Sequence, residues 1–386
     1  MKTETPLFQV VIPTVRGRER YLKDSILSVL EQHGCEAQVI VSNNGADPLI
    51  RECVKSFHHH DILYLETMQY LSMAEHWEFA IGYVTADFFC ILGDDDALTP
   101  SCTKRVALAL QQYPGEKCVV HRPAQYFWPD YLDDEYKNLY LVHGDCTGRV
   151  MQKTTGSVFQ KVCEFREHYG KLPFLYHGFV STQLVRDIQK KEGKIFGKIA
   201  PDVYSDLLLA VYMDTFLEID APLTIGGQGA RSNGANVFKN TSEGKKFFEN
   251  LPDFLVPRRP GVSIYLQLFE YIEEIRSRHK SDQVWDVCWW RFVGRTMVEA
   301  IRNESYRKTI ITGTKDVLLQ YCPYLKRMVM LALVWLVEVR IGCKIAEYIY
   351  KLKSTRNQKA WRSAKIDFSA SSVIGVARAL DERGRV

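Results

Sequence analysis

The chain has 386 residues, of which 46% are hydrophobic and 25% are charged, and its formal net charge at pH 7 is +4. This composition is typical of a globular protein with a buried core, and it excludes a disordered or fibrous chain. The weak net charge argues against a strongly basic nucleic-acid-binding protein, so we expect no nucleic-acid partner.

The charge is unevenly distributed, because residues 326–386 contain 13 Lys or Arg and 5 Asp or Glu. That stretch carries +8 and the rest of the chain carries −4. A basic end of this kind favours contact with phosphates or with an anionic membrane surface. A solvated tail is the alternative interpretation.

The ten cysteines are scattered without a CxxC pair, so we interpret them as reduced thiols and expect no zinc cluster. No apolar signal segment precedes the first predicted strand. The longest uncharged apolar run, from Met328 to Val337, has ten residues and is too short to cross a hydrocarbon core of about 30 Å. We therefore expect a cytoplasmic chain.

The first 122 residues alternate short apolar runs with longer amphipathic ones, which is typical of βαβ units on a mainly parallel sheet. We predict strands at residues 7–12, 37–41, 62–65, 87–92, 117–120 and 216–219. We predict helices at residues 21–30, 72–83, 102–113 and 202–212, and a helical pattern beyond about residue 243. Residues 123–180 are aromatic and irregular, which favours substrate-facing loops or strands.

The strongest chemical signal is Asp94-Asp95-Asp96, three carboxylates directly after the apolar run 88–92. Adjacent carboxylates repel one another unless a cation binds between them. Mg²⁺ and Mn²⁺ prefer such oxygen ligands and commonly bind substrate phosphates. The position also suits a ligand, because α/β sheets bind ligands beyond the carboxyl ends of their strands. A solvated acidic turn is the alternative.

Four segments give this run a context, and in chain order they are VVIPT at 10–14, SVLEQ at 28–32, VIVSNNG at 39–45 and ILGDDDAL at 91–98. Together they resemble the GT-A-fold glycosyltransferases of family 2, and a weaker resemblance continues to about residue 240. The resemblance implies an α/β, Rossmann-like nucleotide-sugar-binding domain over residues 1–240. A mainly helical C-terminal region would cover residues 241–386.

The activity that the resemblance implies is metal-dependent, inverting transfer of a hexosyl or N-acetylhexosaminyl group. The donor would be a nucleotide sugar, with a UDP-sugar as the first candidate. The acceptor would be a hydroxyl of a glycan or lipid-linked saccharide in cell-surface polysaccharide synthesis. The alternative is a non-catalytic donor-binding or scaffolding component of a glycan-assembly complex.

The resemblance also implies donor-binding residues near the end of the first strand. Pro13 and Thr14 match the residues that flank the nucleotide base. Arg18 lies near the arginine that family members often have before their first helix. Arg16 is a rival, because the chain has one extra residue between Thr14 and Tyr21.

Asn43 stands where the family usually has an Asp that contacts the uracil edge, and Asn44 follows it. An Asn amide offers one donor and one acceptor to a pyrimidine, so donor binding is expected to survive while the choice of base stays open. Without the resemblance, the two residues would be interpreted as a plain turn.

The family's D-x-D pattern maps onto Asp94 and Asp96. Asp96 would bind Mn²⁺ or Mg²⁺, and Asp94 would lie near the ribose or a metal-bound water. Asp95 would contact the donor from the middle of the run, or the register would be shifted by one residue.

Inverting transfer requires a base that takes the proton of the acceptor hydroxyl. The resemblance places this base at Asp202, which follows Pro201 at the start of a predicted helix. Asp206, one turn later, is the rival, and a plain helix cap is the alternative for Asp202. His177 and Arg231 are candidate acceptor contacts.

Other features receive structural interpretations. We expect a solvated loop at His58-His59-His60 and a core position for Trp77. The glycine-rich segment 226–234 does not match a phosphate-binding loop, and we predict a mobile lid there.

The C-terminal third contains an apolar helical stripe that includes Leu325, Met328, Ala332 and Leu336. The stripe would pack on the catalytic domain or on a second copy of the chain. Trp335 and the basic tail with Arg356, Lys359, Arg362 and Lys365 instead favour peripheral contact with the cytosolic membrane face.

Overall fold

A computed structural model of the protein describes residues 8–143, 146–232, 236, 263–279, 286–338, 361–365 and 372–382. For residues 361–365 it describes the course of the backbone. Within these ranges, none of the helices has the length and apolar character needed to cross a membrane.

The strands of the described residues are β1 (Phe8–Val15), β2 (Ala37–Asn44), β3 (Ile62–Glu66), β4 (Phe88–Ile91), β5 (Ala97–Leu98), β6 (Cys118–His121), β7 (Ala124–Phe127), β8 (Leu139–His143), β9 (Val150–Thr154), β10 (Phe179–Ser181), β11 (Thr215–Ile219), β12 (Thr224–Gln228) and β13 (Trp361–Lys365).

The helices of the same residues are α1 (Glu19–Leu30), α2 (Pro48–Lys55), α3 (Met73–Ile81), α4 (Cys102–Gln112), α5 (Thr155–Cys163), α6 (Thr182–Glu192), α7 (Pro201–Tyr212), α8 (Ile264–Arg278), α9 (Trp289–Arg302), α10 (Arg307–Tyr321), α11 (Tyr324–Glu338) and α12 (Val373–Glu382). Short 3₁₀ turns lie at Tyr169–Lys171 and Glu304–Tyr306.

The larger sheet has the strand order β3-β2-β1-β4-β10-β6-β11-β9. β1 pairs in parallel with β2 and β4, and β2 pairs in parallel with β3. β10 and β9 run antiparallel to their neighbours. The predicted mixed α/β architecture with a mainly parallel sheet is therefore confirmed. Because β1, β2 and β4 are parallel, the residues that follow them lie along one edge of the sheet.

Helices cover both faces of this sheet, because alternate residues of a strand point to opposite sides. Val10 and Val39 face the apolar layer formed with α1, α2 and α4. Val11 and Ile40 face a larger layer that includes α3, α7 and the C-terminal helices α8 to α11. All four side chains are fully buried. The sheet is thus held rigidly, and its carboxyl edge is free to carry the site.

A second sheet has the order β13-β8-β7-β12-β5 and lies beside the first. It takes in strands from the segment 123–180, which the sequence suggested to be irregular. β13 joins it by antiparallel pairing with β8, so the backbone of Arg362 and Lys365 lies in a sheet rather than in a tail. Arg356 and Lys359 lie outside the described residues.

The last helix, α12, packs against α1 and the second sheet rather than within the helical region. The Arg378 guanidinium donates to both carboxylate oxygens of Glu31. Asp381 Oδ1 accepts a hydrogen bond from the Ser101 backbone at 3.3 Å. The segment predicted as a separate C-terminal region therefore returns to the N-terminal part of the chain.

Candidate active site

Polar side chains converge on the carboxyl edge of the larger sheet, where β1 and β4 end. Thr14 Oγ1 donates a hydrogen bond to Asp94 Oδ2 at 2.7 Å. Arg18 Nη1 donates to Asp94 Oδ1 at 2.6 Å and lies 3.6 Å from Asp95 Oδ1. Pro13 is half-buried on the strand beside them. The structure thus brings together Thr14, Arg18 and the acidic run that the sequence singled out.

Arg18 is the internal cation of this cluster, and its side chain is almost fully buried. Burial lowers the pKa of the guanidinium, but the charges of Asp94 and Asp95 outweigh this and raise the pKa overall. Arg16, the rival arginine, is exposed and lies 3.7 Å from Asp47 instead. Of the two, Arg18 is therefore the residue placed to act on the acidic run.

The predicted lid begins as part of β12, and its last described residues, Arg231 and Ser232, contact Arg18 and Asp95. Ser232 Oγ donates a hydrogen bond to Asp95 Oδ2, and Arg18 Nη2 donates to the backbone oxygen of Arg231. The Arg231 side chain lies over Gly17, where a Cβ atom would stand 1.8 Å from Arg231 Nη1. Gly17 has φ +82°, a backbone conformation that favours glycine, whereas the Arg231 side chain is flexible and could move aside. Residues 233–235 and 237–262, which follow, lie outside the described residues.

Asp96 is held from all sides by the protein. Its Oδ1 accepts the Gly227 N–H at 2.7 Å, and its Oδ2 accepts the Gly93 N–H at 2.8 Å. The Tyr176 hydroxyl donates to Oδ2 at 2.5 Å, and His177 Nε2 lies 3.3 Å from the same atom. The side chain is 1% exposed. This carboxylate anchors the turn and does not point to an open site.

Burial raises the pKa of each of the three carboxyl groups to about 6, and for Asp94 and Asp95 the Arg18 charge opposes this. Their hard oxygen atoms suit a divalent cation chemically. Both oxygens of Asp94 and both oxygens of Asp96 accept hydrogen bonds from the protein. Asp95 accepts one from Ser232 and lies 3.6 Å from Arg18 Nη1, so it has the fewest contacts with protein donors and joins Asp94 and Asp96 as a candidate ligand.

Another group of potential metal ligands lies on the surface. Among the described residues, the one set of three side chains with ligand atoms within 4.8 Å of one another is His59, His60 and Asp61. The two histidines are exposed in the loop before β3, as expected for a solvated loop. The acidic run therefore offers an ion fewer than three protein ligands.

A comparison with known protein families identifies the family that residues 9–168 match. The sequence profile described as Glycosyl transferase family 2 matches residues 9–168, which include the end of β1 and the acidic run. This segment belongs to glycosyl transferase family 2. The chain is accordingly a glycosyltransferase, and the expected GT-A fold class is confirmed.

Solved structures of glycosyltransferases are similar to this one. TarS of S. aureus, as residues 1–349 in complex with UDP-GlcNAc, has 11% identity, a TM-score of 0.49 and coverage of 85% of this chain and 90% of that chain. The mannosyltransferase PcManGT of Pyrobaculum calidifontis, in complex with GDP-Man and Mn²⁺, has 14% identity, a TM-score of 0.40 and coverage of 88% of each chain. A search of curated protein sequences found no significant match.

In the glycosyltransferase, Asn43 and Asn44 lie at the end of β2 but use their amides within the protein. Asn43 Nδ2 donates to the Asp47 backbone oxygen and to the Tyr64 hydroxyl, both at 2.8 Å. Asn44 Oδ1 accepts the Leu71 N–H at 2.8 Å, and Asn44 Nδ2 donates to the Leu71 backbone oxygen at 2.9 Å. Both side chains are buried. The two amides shape the loops around the expected base position, and their side chains are not available to read the base in this arrangement.

The two candidate bases lie one turn apart on α7 in different surroundings. Asp202 is half-buried in the first turn, and burial raises the pKa of its carboxyl group. Asp206 is 4% exposed, no described residue forms a hydrogen bond with its Oδ1, and burial raises its pKa well above the usual range. Burial raises the pKa of the Tyr176 phenol, and the charge of Asp202 adds to this. The charge of Asp202 therefore acts on the phenol that binds Asp96, whereas Asp206 is buried.

The two candidate acceptor contacts lie on opposite sides of the acidic run. His177 is buried with φ +74°, and burial lowers its pKa to about 3, so the imidazole is neutral. Its backbone oxygen lies 3.0 Å from His121 Nε2. Arg231 is exposed on the lid side. Arg231 is therefore open to an acceptor, whereas His177 contacts Asp96.

The sequence did not predict the residues that bind the acidic turn from distant positions in the chain. Trp128 Nε1 donates to the Asp95 backbone oxygen at 3.1 Å, and Ser232 and Tyr176 bind two of the carboxylates. The available signals were weak: Tyr176 precedes the candidate His177, and Ser232 closes the glycine-rich segment.

Proposed function

We propose that the chain transfers a sugar from a nucleotide-sugar donor to a hydroxyl of a glycan or lipid-linked saccharide with inversion at the anomeric carbon. UDP-sugars are the first candidates for the donor. The observation that carries the proposal is the convergence of Thr14, Arg18 and the acidic run at the carboxyl edge of a family 2 sheet. At that edge the Arg18 guanidinium is placed to offset negative charge on a diphosphate.

A divalent cation, Mn²⁺ or Mg²⁺, would be held by Asp95 with Asp94 beside it. The supporting observation is that Asp95 has fewer contacts with protein donors than Asp94 or Asp96, which favours a ligand one residue before the position inferred from the sequence. When bound, such an ion would supply Lewis-acid stabilisation of the departing diphosphate. Oxygen atoms of the donor and water would complete its coordination, since the described carboxylates do not form a closed cage.

We propose Asp202 as the base of the transfer. As the acceptor oxygen bonds to the anomeric carbon and the bond from that carbon to the diphosphate oxygen breaks, the hydroxyl proton passes to the Asp202 carboxylate. Asp202 is supported over Asp206 by its greater exposure and by its charge acting on Tyr176, which binds Asp96. A fully buried carboxyl group such as Asp206 is favoured in its protonated form and is a poor base.

The test is to incubate the full chain with UDP-, GDP-, CDP- and dTDP-sugars in Mn²⁺ and to measure release of the nucleoside diphosphate. Turnover that disappears in EDTA supports the proposal. Binding of a nucleotide sugar without turnover, with or without candidate glycan acceptors, would instead identify a donor-binding scaffold.

We also propose that the cytoplasmic enzyme attaches peripherally to a membrane through the outward face of α11. On this face Leu325 is 84% exposed, Met328 57% and Trp335 59%. An apolar stripe with an aromatic residue suits a lipid interface, and the basic charge of residues 326–386 suits anionic lipid. An acceptor that is lipid-linked would then lie at the same surface.

The membrane proposal is tested by co-sedimentation with vesicles of anionic and of neutral lipid. Truncation after Thr314 would also remove α12, which packs on the N-terminal domain, so point variants are preferable. Leu325→Gln combined with Trp335→Gln should abolish salt-sensitive binding to anionic vesicles. Leu49→Gln, on α2, is the control because Leu49 is 54% exposed on another surface. Binding that is lost equally in all variants, or absent from the wild type, would contradict attachment, and a dimer dispersed by the α11 variant would identify an oligomer interface.

A further inference from the structure

Tyr176, which lies beyond the segment matched by the family profile, supports the acidic turn. The family profile ends at residue 168, and Tyr176 lies in the loop that leads to β10. The Tyr176 hydroxyl donates to Asp96 Oδ2 at 2.5 Å. A hydrogen bond from a hydroxyl to a buried carboxylate is charge-assisted and about twice as strong as one between neutral groups.

The position of the Tyr176 phenol is fixed independently of Asp96. Its ring stacks on Trp77 with the centroids 5.6 Å apart and 22° between the planes. On either side of it, the Ile91 N–H donates to the Leu175 backbone oxygen at 3.0 Å, and the His177 N–H donates to the Ile91 oxygen at 2.8 Å. The hydroxyl is therefore presented to Asp96 by a rigid support, as preorganisation requires.

Asp96 transmits this support to the rest of the acidic turn. Its Oδ2 binds the Gly93 N–H at the start of the turn and its Oδ1 binds the Gly227 N–H of β12, so one carboxylate closes the turn and ties it to β12. Asp94 and Asp95 precede it directly in the chain. A change in the orientation of the Asp96 carboxylate would therefore move the two groups that face Arg18.

We propose that Tyr176 is a positioning residue of the transfer reaction, whose hydroxyl holds Asp96 and thereby fixes the turn that presents Asp94 and Asp95 to the donor. This inference rests on the proposed function. Tyr176 touches neither donor nor acceptor, and it acts through Asp96. A misplacement of such a turn by a fraction of an ångström is enough to weaken donor binding and turnover.

The test uses Tyr176→Phe, which removes the hydroxyl and leaves the stacked ring. Tyr126→Phe is the matched control, because Tyr126 is a buried tyrosine whose hydroxyl forms no hydrogen bond with any of the described residues. Calorimetry with UDP, GDP, CDP and dTDP in Mn²⁺ measures nucleotide affinity, and diphosphate release measures turnover. We expect Tyr176→Phe to remain folded, to bind the nucleotide about tenfold more weakly and to lose at least tenfold in kcat/KM. The control should match the wild type.

A double-mutant cycle shows whether Tyr176 acts through Asp96. In an Asp96→Asn background, Tyr176→Phe should cause no further loss of affinity, because the group that it orients is already changed. If Asp96→Asn does not fold, the Mn²⁺ concentration for half-maximal nucleotide binding decides the question in the single variant. That concentration should rise about tenfold in Tyr176→Phe and stay unchanged if the hydroxyl serves packing alone.

The measurements distinguish failure of the proposed function from failure of the role of Tyr176 alone. A wild-type chain that neither binds nor turns over any of the nucleotide sugars refutes the proposed function, and the role of Tyr176 falls with it. A wild-type chain that does both, with Tyr176→Phe indistinguishable from Tyr126→Phe, refutes the role of Tyr176 alone.

Discussion

Replacement of Gly227 by alanine probes how tightly the acidic turn is held. A Cβ atom at this position would stand 1.8 Å from the Asp95 backbone oxygen and 2.7 Å from Trp128 Nε1. The first distance is about 1.5 Å shorter than an ordinary C···O contact, so the strand and the turn must separate. The neighbouring Gly226 provides the matched control, because a Cβ there would meet its nearest atoms at 3.8 Å.

The expected cost of Gly227→Ala has two parts. Separation stretches the bond from the Gly227 N–H to the buried Asp96 carboxylate, which is worth about 1.5–3 kcal/mol, and overpacking adds about 1–3 kcal/mol. We therefore expect a loss of about 2.5–6 kcal/mol in the free energy of unfolding, together with loss of turnover. Gly226→Ala should be neutral or more stable by up to about 1 kcal/mol, since alanine restricts the unfolded chain.

Urea denaturation and diphosphate release measure the two effects on the same preparations. Equal stability and equal turnover in Gly227→Ala and Gly226→Ala would refute the argument that contact between β12 and the acidic turn shapes the site. Loss of stability without loss of turnover in Gly227→Ala would show that this contact stabilises the fold but is not needed for turnover.

Three further predictions follow from individual side chains. Burial lowers the pKa of His76 to about 4, so below pH 6.5 the unfolded state binds more protons than the folded state and stability falls as the pH falls. In urea denaturation, the wild type should lose about 2 kcal/mol more than His76→Gln between pH 7.5 and pH 5. Identical pH profiles of the two proteins would contradict this. Asp206→Asn should keep turnover and stability, because burial raises the pKa of the Asp206 carboxyl and favours its neutral form. Asp202→Asn should keep nucleotide affinity and lose about 100-fold in turnover, and the reverse pattern would move the base to Asp206. Arg18→Ala should lose turnover and about 3 kcal/mol of stability, because the buried carboxylates of the acidic run lose their positive partner. Arg16→Ala should behave like the wild type in both assays. Equal losses in the two variants would refute the choice of Arg18 over Arg16.

The sequence predicted six of the eight strands of the larger sheet, because each of those six is a short apolar run whose pattern is local. β9 and β10 were not predicted. The pairing of β13 with β8 and the docking of α12 could not be read in this way. Arg378 and Glu31, for example, are 347 residues apart in the chain, and no local pattern connects them. The second sheet was missed for the same reason, since its strands are short and its partners are distant.

The candidate site shows the same division. Thr14 and the acidic run follow strand ends, so their convergence could be expected from parallel strands alone. Tyr176 and Ser232 come from loops that lie 80 and 137 residues from the carboxylates they bind, where no periodicity constrains the chain. The choice between Asp95 and Asp96 depended on which carboxylate the backbone donors occupy, and a run of three identical residues carries no information about that.

The most direct test of the central claim is diphosphate release from a nucleotide sugar by the wild type and by Asp95→Asn, each with Mn²⁺ and with EDTA. Asp95→Asn keeps an oxygen for Ser232 and removes the charge that would hold the ion. We predict turnover by the wild type in Mn²⁺, none in EDTA, and a loss of at least 100-fold in a folded Asp95→Asn variant. Turnover by Asp95→Asn at the wild-type rate, or nucleotide binding by the wild type without any turnover, would contradict the claim that the acidic run is the donor site of a metal-dependent glycosyltransferase.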